Sequence, residues 1–312
     1  MTPTVQISRL FESHHVDIYA KLDLLQLAGS TKERTANGLV EELLGSGQLR
    51  AGGMIIESTS GNLGIALARQ CVVRGLKFTA VVDENANPLA LELMEAYGAA
   101  VDRVQTPAGG NKLAARRRRV KELLDANPGS VTTNQYGSVA NPRAHFSTTM
   151  PEIIADSGGN LDYVFVATST TGTLLGCQQY VRAHNLDTRI VAVDSVGSVL
   201  FGGKPGTRRL PGLGAGIVPE LASGADPDMV FQIEEIDMVR GCRLLARREG
   251  ILAGASTGAI VAAMGRLVPT LEAGARIAFM VHDTGVPYLQ TVYNDEWVRA
   301  TLNAEPDGPG NP

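Results

Sequence analysis

Nothing in this chain approaches a run of about 18 consecutive apolar residues, so no segment reads as a membrane-crossing helix. The first residues, Met1-Thr2-Pro3-Thr4, lack the charged-then-apolar layout of a secretory signal, and the expected compartment is the cytoplasm. Cysteine is scarce: Cys71, Cys177 and Cys242 stand far apart with no Cys-x-x-Cys among them, which indicates neither a disulfide framework nor a zinc site. They are expected as buried thiols. An excess of one charge is lacking too. With 28 basic against 32 acidic residues there is no global field to gather nucleic acid or an anionic membrane. His14, His15, His145, His184 and His282 show no metal-ligand spacing and are given no role. No short-period repeat or low-complexity segment is present, and residues 305–312 read as a disordered tail. What the chain does have is 312 residues with 44% apolar content, enough for a sizeable core in one large or two modest domains.

The stretch Gly29-Ser30-Thr31-Lys32-Glu33-Arg34 organises the reading. It places one amine among small residues, after a strand-like run at 16–22 and at the mouth of an amphipathic stretch at 35–44. An isolated lysine there would be a solvated first-turn residue. Its meaning changes with three later loops.

From residue 38 to 133 the pattern alternates strand and helix: strands near 53–57, 76–82 and 101–104, helices near 65–74, 88–97 and 112–125. The last helix carries Arg116-Arg117-Arg118-Arg119. Four successive positions span most of a helix circumference while Leu113, Val120, Leu123 and Leu124 form the buried stripe, so the run is expected to be a solvated face. Turn-rich residues 134–145 look like a hinge leading into a helix near His145. A second α/β unit follows, with strands at 163–167, 190–194 and 277–281 and helices at 174–183, 237–248 and 259–267. A Gly/Pro-rich loop occupies 195–219, a length that is usually functional or disordered. Two α/β units with a hinge imply a cleft, with ligands at the C-terminal ends of strands.

Thr168-Ser169-Thr170-Thr171-Gly172-Thr173 lies between a strand and a helix start, where unpaired N–H groups and the helix dipole favour an anion. It lacks the Gly-Lys-Ser/Thr ending of a nucleotide P-loop, so a small phosphate is expected. Ser58-Thr59-Ser60-Gly61-Asn62-Leu63-Gly64 is built alike, with an Asn62 amide able to donate to a carboxylate. Neither it nor Gly212-Leu213-Gly214-Ala215-Gly216 completes a dinucleotide fingerprint. A nucleophilic lysine, a phosphate cradle and a carboxylate loop together suggest pyridoxal phosphate.

Four motifs in order, Ser30-x-Lys32-x-Arg34, Thr59-Ser60-Gly61-Asn62, Asn134-Gln135-Tyr136 and Gly254-Ala255-Ser256-Thr257-Gly258, resemble the cysteine synthase family, fold type II of the pyridoxal phosphate enzymes, over nearly the whole chain. The resemblance implies a tryptophan synthase β-like α/β fold: two three-layer α/β/α domains with a cleft, a larger cofactor domain of residues 1–37 and 146–312 and a smaller mobile domain of 38–145. It makes Lys32 the Schiff-base and proton-transfer residue and Asn62 the partner of the cofactor's ring hydroxyl. Ser169, Thr170, Thr171, Gly172 and Thr173 become the phosphate loop, and Ser256 faces the ring nitrogen. A neutral hydroxyl at Ser256 leaves the electron sink weaker than an aspartate would, which fits β-elimination. Thr59, Ser60 and Gln135, with Tyr136 beside them, match substrate-binding positions; Asp283-Thr284-Gly285 and Tyr288 match a segment near the ring. A homodimer is expected on the same ground.

Departures narrow the reading within that family: Gln26-Leu27 before the lysine motif, Glu33, Leu63, and Ser169-Thr170-Thr171-Gly172-Thr173 in place of a glycine-richer loop. With residues 197–202, 209–212 and 241–243 they resemble the branch that condenses O-phospho-L-serine with L-glutamate, through an aminoacrylate, towards 2,3-diaminopropionate for siderophores or peptide antibiotics. A phosphate leaving group needs donors near the β-carbon, and Arg143, Arg208 and Arg209 are the candidates. The alternative is a cysteine synthase using O-acetylserine or O-phosphoserine and sulfide; a dehydratase and a non-catalytic binder of the same fold also remain open.

Overall fold

The computed structural model describes residues 1–11, 15–84, 86–105 and 112–307. His14 and the end of the expected tail lie outside them. By internal contacts the chain divides into two compact units, Met1–Gln26 with His145–Pro312, and Leu27–Ala144. Residues 27–37, Lys32 among them, therefore group with the smaller unit and His145 with the larger.

The larger unit starts with two short strands, β1 (Thr4–Ile7) and β2 (Asp17–Lys21), paired antiparallel. β1 has too few residues to show a period. It is fastened by charge: the fully buried Lys21 ammonium pairs with Glu152 at 2.7 Å and is also bonded to the carbonyl of Thr2.

The smaller unit then runs α1 (Lys32–Gly45), β3 (Met54–Ser58), α2 (Asn62–Val73), β4 (Lys77–Asp83), α3 (Pro88–Ala96), β5 (Ala100–Val104), α4 (Lys112–Ala126) and α5 (Ala140–Ala144). Its strands form one parallel sheet in the order β3-β4-β5. Leu39, Val40, Leu67 and Met94 belong to a core shared by α1, α2 and α3, while Val120 of α4 packs with Ile56 and Val81 of β3 and β4. Helices thus cover both faces, which is why β3 and β4 read as apolar runs rather than as alternations.

Back in the larger unit, a π-helical turn at His145–Thr149 is followed by α6 (Met150–Asp156), β6 (Tyr163–Ala167), α7 (Gly172–Ala183), β7 (Arg189–Ser195), β8 (Met229–Ile233), α8 (Glu235–Glu249), α9 (Ala255–Leu267), β9 (Arg276–Met280) and α10 (Asp295–Leu302). The sheet order is β1-β2-β9-β6-β7-β8, parallel from β2 onward. Acidic Glu235 and Asp237 open α8 and Arg247 and Arg248 close it, complementing the helix dipole, and Gly250 ends it at φ 70. α9 lies across β6, β7, β8 and β9 and against α8. Its small residues permit this. A Cβ on Gly241 of α8 would stand 2.1 Å from the Gly258 carbonyl oxygen of α9.

Candidate active site

In the smaller unit Lys32 is the first residue of α1, and the chain turns into that helix through buried Ser30 and Thr31, whose hydroxyls make no hydrogen bond among the described residues. Glu33, next to the lysine, is buried; its Oε1 accepts from Arg69 and Gln70 of α2. The first turn of α1 is thereby tied to the helix that the 58–61 loop introduces. That loop leaves the C-terminal end of β3, so Thr59 is buried and its N–H donates to the Val81 carbonyl at 3.2 Å, while Asn62 opens α2. Gly64 must lack a side chain, since a Cβ there would lie 2.5 Å from Met94 Sδ and 3.0 Å from Thr59 Cγ2.

Gln135 is buried, and its carbonyl accepts from the Asn141 side chain at 2.9 Å, with Thr35 of α1 donating to the same side chain at 3.4 Å. One amide so links the Gln135 segment to the helix that carries Lys32. Tyr136, next along, is half-buried.

One participant escaped the sequence reading. Arg116 does not share the solvated face of its run: its side chain is 16% exposed, Nη1 donates to the Ser60 hydroxyl at 3.3 Å, and Nε stands 3.3 Å from the Asp83 carboxylate. The signal lay in the helical spacing, because position 116 is three after Leu113 and four before Val120 and so falls on the buried stripe. Arg117 and Arg118 do face solvent, and Arg119 pairs with Asp102 at 2.9 Å. Arg143 is exposed and bonded to Glu42 at 2.8 Å.

In the larger unit the loop after β6 holds Ser169, Thr170 and Thr171 ahead of α7. Thr171 occupies the N-cap with a left-handed backbone, φ 63, and its hydroxyl donates back to the Thr170 carbonyl at 2.7 Å instead of capping. Thr171 thus supplies no side-chain cap to this 12-residue helix, and the Gly172 N–H donates to Thr170 Oγ1 at 3.4 Å. The 195–219 loop is woven onto this start: Gly214 N–H donates to the Thr168 carbonyl at 2.6 Å, and Ser169 Oγ donates to the Gly214 carbonyl at 3.1 Å. Gly212, at φ 104, passes so close to α9 that a Cβ on it would be 3.4 Å from Tyr288 Oη and 3.8 Å from Ser256 Oγ. Ser256 itself is buried in the first turn of α9.

Arg208 points back into its own loop, donating to the Leu213 carbonyl at 3.0 Å, and Arg209 is exposed beside Glu235. His282 joins three elements: its N–H donates to Thr257 Oγ1 at 3.1 Å and its Nε2 accepts from the Ala167 N–H at 3.0 Å.

Comparison with known proteins decides what these loops belong to. Residues 1–283 match the family described as pyridoxal-phosphate dependent enzyme. This chain belongs to that family. It is 44% identical over 298 residues to the N-(2-amino-2-carboxyethyl)-L-glutamate synthase of Ralstonia nicotianae, covering 95% of this chain and 88% of that one. Among solved structures it is similar to O-ureido-L-serine synthase, with a TM-score of 0.86 at 32% identity, covering 94% of this chain and 92% of that one. An O-acetylserine dependent cystathionine beta-synthase from Helicobacter pylori gives a TM-score of 0.84 at 30% identity over 93% and 94% of the two chains. The fold is therefore that of the type II pyridoxal phosphate enzymes, and the cofactor is pyridoxal phosphate.

The donor set of this pyridoxal-phosphate dependent enzyme suits that cofactor. A helix start wrapped by buried threonines fits a phosphate, and a buried hydroxyl fits an unprotonated ring nitrogen. A base is not offered by Tyr288, whose phenol burial and the Asp283 carboxylate together hold far above its ordinary range; it donates to Asp283 Oδ2 at 2.7 Å. Asp194, at the end of β7, is pushed up to about 6 by burial, against the opposing pull of the Ser195 N–H, the Ser198 hydroxyl and Arg208.

Proposed function

We propose that this enzyme catalyses β-replacement, joining O-phospho-L-serine to L-glutamate to give N-(2-amino-2-carboxyethyl)-L-glutamate and phosphate. The observation that carries the reading is the 44% identity over 95% of the chain to a synthase of that name. The residues add their own support. An acidic donor and an acidic acceptor both call for a cation, and Arg116 brings a guanidinium to Ser60 of the carboxylate loop. Arg143, Arg208 and Arg209 are candidates for the same duty, and Arg116 joins them through its bond to Ser60.

Lys32, Asn62, Ser169, Thr170, Thr171, Gly172, Thr173 and Ser256 are the residues assigned to the cofactor. When bound, pyridoxal phosphate supplies an electron sink for the substrate's α-carbon, which lets the β-substituent leave. Lys32 takes the α-proton and returns it once the incoming amine has added at the β-carbon. Thr59, Ser60, Gln135 and Tyr136 hold the α-carboxylate and fix which C–H bond meets the lysine. Arg116 neutralises the departing phosphate or the distal carboxylate of glutamate. The smaller domain's mobility, a homodimeric state and a place before 2,3-diaminopropionate belong to the same reading and are supported by the family resemblance, and a cytoplasmic location is proposed with them. Among the described residues no helix is long and apolar enough to cross a membrane.

Mass spectrometry of products after supplying O-phospho-L-serine with glutamate, aspartate and sulfide in equal amounts tests the proposal. A dominant glutamate adduct is expected. Dominant cysteine would return the chain to the sulfide-using reading, and absence of any adduct would remove phosphoserine as donor.

A further inference from the structure

The larger unit buries a histidine against the start of α7 for which the assignments above have no use. His145 opens the π-helical turn and is fully buried. Its Nδ1 stands 2.8 Å from Thr149 Oγ1, at the other end of that turn, and its Nε2 stands 3.2 Å from Thr173 Oγ1. Thr173 is the second residue of α7, in the loop assigned to the cofactor phosphate.

A neutral imidazole has one donor and one acceptor nitrogen, and each hydroxyl has a single proton to give. The row Thr149, His145, Thr173 can therefore run in two directions. If Nε2 accepts, the Thr173 proton is spent on the imidazole, and only oxygen lone pairs are left for a neighbouring ligand. If instead Thr149 donates to Nδ1, then Nε2–H donates to Thr173 and the Thr173 proton is available beyond the row. An anion at the start of α7 repels the first arrangement and stabilises the second.

We infer that His145 is a positioning residue for the cofactor phosphate: with its tautomer set by Thr149, it turns the Thr173 hydroxyl into a donor towards the anion. This rests on the assignment of the phosphate to residues 169–173. Thr149 lies four residues on from His145, within the same π-helical turn, and such turns recur at functional sites.

The test compares binding of pyridoxal phosphate with that of pyridoxal, which keeps the ring and aldehyde but lacks the phosphate, by fluorescence titration of the cofactor-stripped full chain. His145→Phe should weaken pyridoxal phosphate about tenfold to a hundredfold while pyridoxal changes less than roughly twofold, as expected for loss of a hydrogen bond to a charged group. His145→Gln, which can present an N–H near the place of Nε2, should recover most of the loss. The double variant His145→Phe/Thr173→Val should bind no more weakly than Thr173→Val alone, because both act through one hydroxyl. Equal losses for the two ligands, or fully additive losses in the double variant, would overturn the inference by showing a merely structural histidine. Should His145→Phe fail to fold, Thr149→Val keeps the imidazole and removes the donor to Nδ1; it should show the same phosphate-selective loss, and its absence counts against the inference. If Thr173→Val leaves pyridoxal phosphate binding intact, the phosphate assignment itself falls; if Thr173→Val weakens it and the His145 and Thr149 variants do not, that assignment stands and only the role of His145 falls.

Discussion

Arg116 donates to the hydroxyl of Ser60 at 3.3 Å, so a residue from the middle of an arginine run belongs to the loop assigned to the substrate carboxylate. Its neighbours Arg117 and Arg118 face solvent. Replacing Arg116 by Ala should lower kcat/KM about tenfold to a hundredfold, the usual worth of a hydrogen bond to a charged group, without releasing the cofactor. Arg117→Ala and Arg118→Ala should leave steady-state kinetics close to wild type. Titrating O-phospho-L-serine and glutamate separately shows which KM rises and hence which acid the guanidinium meets. An Arg116→Ala enzyme with both constants unaltered removes the residue from substrate binding.

Lys21 is buried and Lys32 half-buried, and their surroundings separate them. Lys21 is fully enclosed and paired with Glu152 at 2.7 Å, which keeps its amine engaged and out of reach of a ligand. Lys32 sits at the start of α1 between small residues. Borohydride reduction followed by peptide mass mapping should place the cofactor on Lys32 alone, and Lys32→Ala should lose the label and about a hundredfold to ten-thousandfold in rate, the range for a removed general base. Label on another lysine would refute the assignment.

Much of this was legible because buried parallel strands write themselves as apolar runs, and the loops that follow β3 and β6 are full of Ser, Thr, Gly and Asn. Boundaries moved by a residue or a few, as where α2 begins at Asn62 inside the expected loop. What failed to show was whatever depends on a partner distant in sequence. Arg116 reads as solvated until Ser60 and Asp83 are seen beside it, and His145 reads as idle until Thr173 is. β1 and β8 were missed because both are edge strands, short and half-exposed, with no period to detect. The five-residue α5 was hidden by Pro142, which marks a turn in sequence but is tolerated in the first turn of a helix.

Glu33 joins the first turn of α1 to α2 through Arg69 and Gln70. Glu33→Ala would leave two polar side chains facing a void, at a cost of about 1–3 kcal/mol for buried groups that lose their acceptor. Urea unfolding should report that loss as a lower midpoint. Glu33→Gln, which keeps an acceptor oxygen, should lose less, and an unchanged midpoint in Glu33→Ala would show that the contact is energetically idle.

Helix α8 meets α9 where Gly241 faces the Gly258 carbonyl, and a Cβ on Gly258 would in turn lie 2.1 Å from the Met238 carbonyl oxygen. Both obstacles are backbone atoms and cannot rotate away. Gly241→Ala or Gly258→Ala must push the helices apart, at a cost of about 1–3 kcal/mol or more for overpacking. Because Ser256 and Thr257 lie in the first turn of α9, the shift should also weaken cofactor binding. Gly45→Ala is the control: a Cβ there meets nothing within 4 Å, and it should be tolerated.

Asp194 provides the pH test. Its carboxyl is raised from 3.8 to about 6, burial being the largest cause, so the folded chain holds this proton more tightly than the unfolded chain does. The contribution to stability is therefore fully present below about pH 4 and is lost as pH rises through about 6, beyond which the folded state carries a poorly solvated carboxylate. Oδ1 accepts from the Ser195 N–H at 2.8 Å, a bond that an amide oxygen can also accept. Asp194→Asn should thus keep the local geometry and remove the titration. Melting temperatures of wild type and Asp194→Asn, measured from about pH 4 to about pH 8, should diverge in favour of the variant as pH rises and run parallel above about pH 7. Parallel curves across the whole range would mean that Asp194 titrates in the folded chain as it does in the unfolded one.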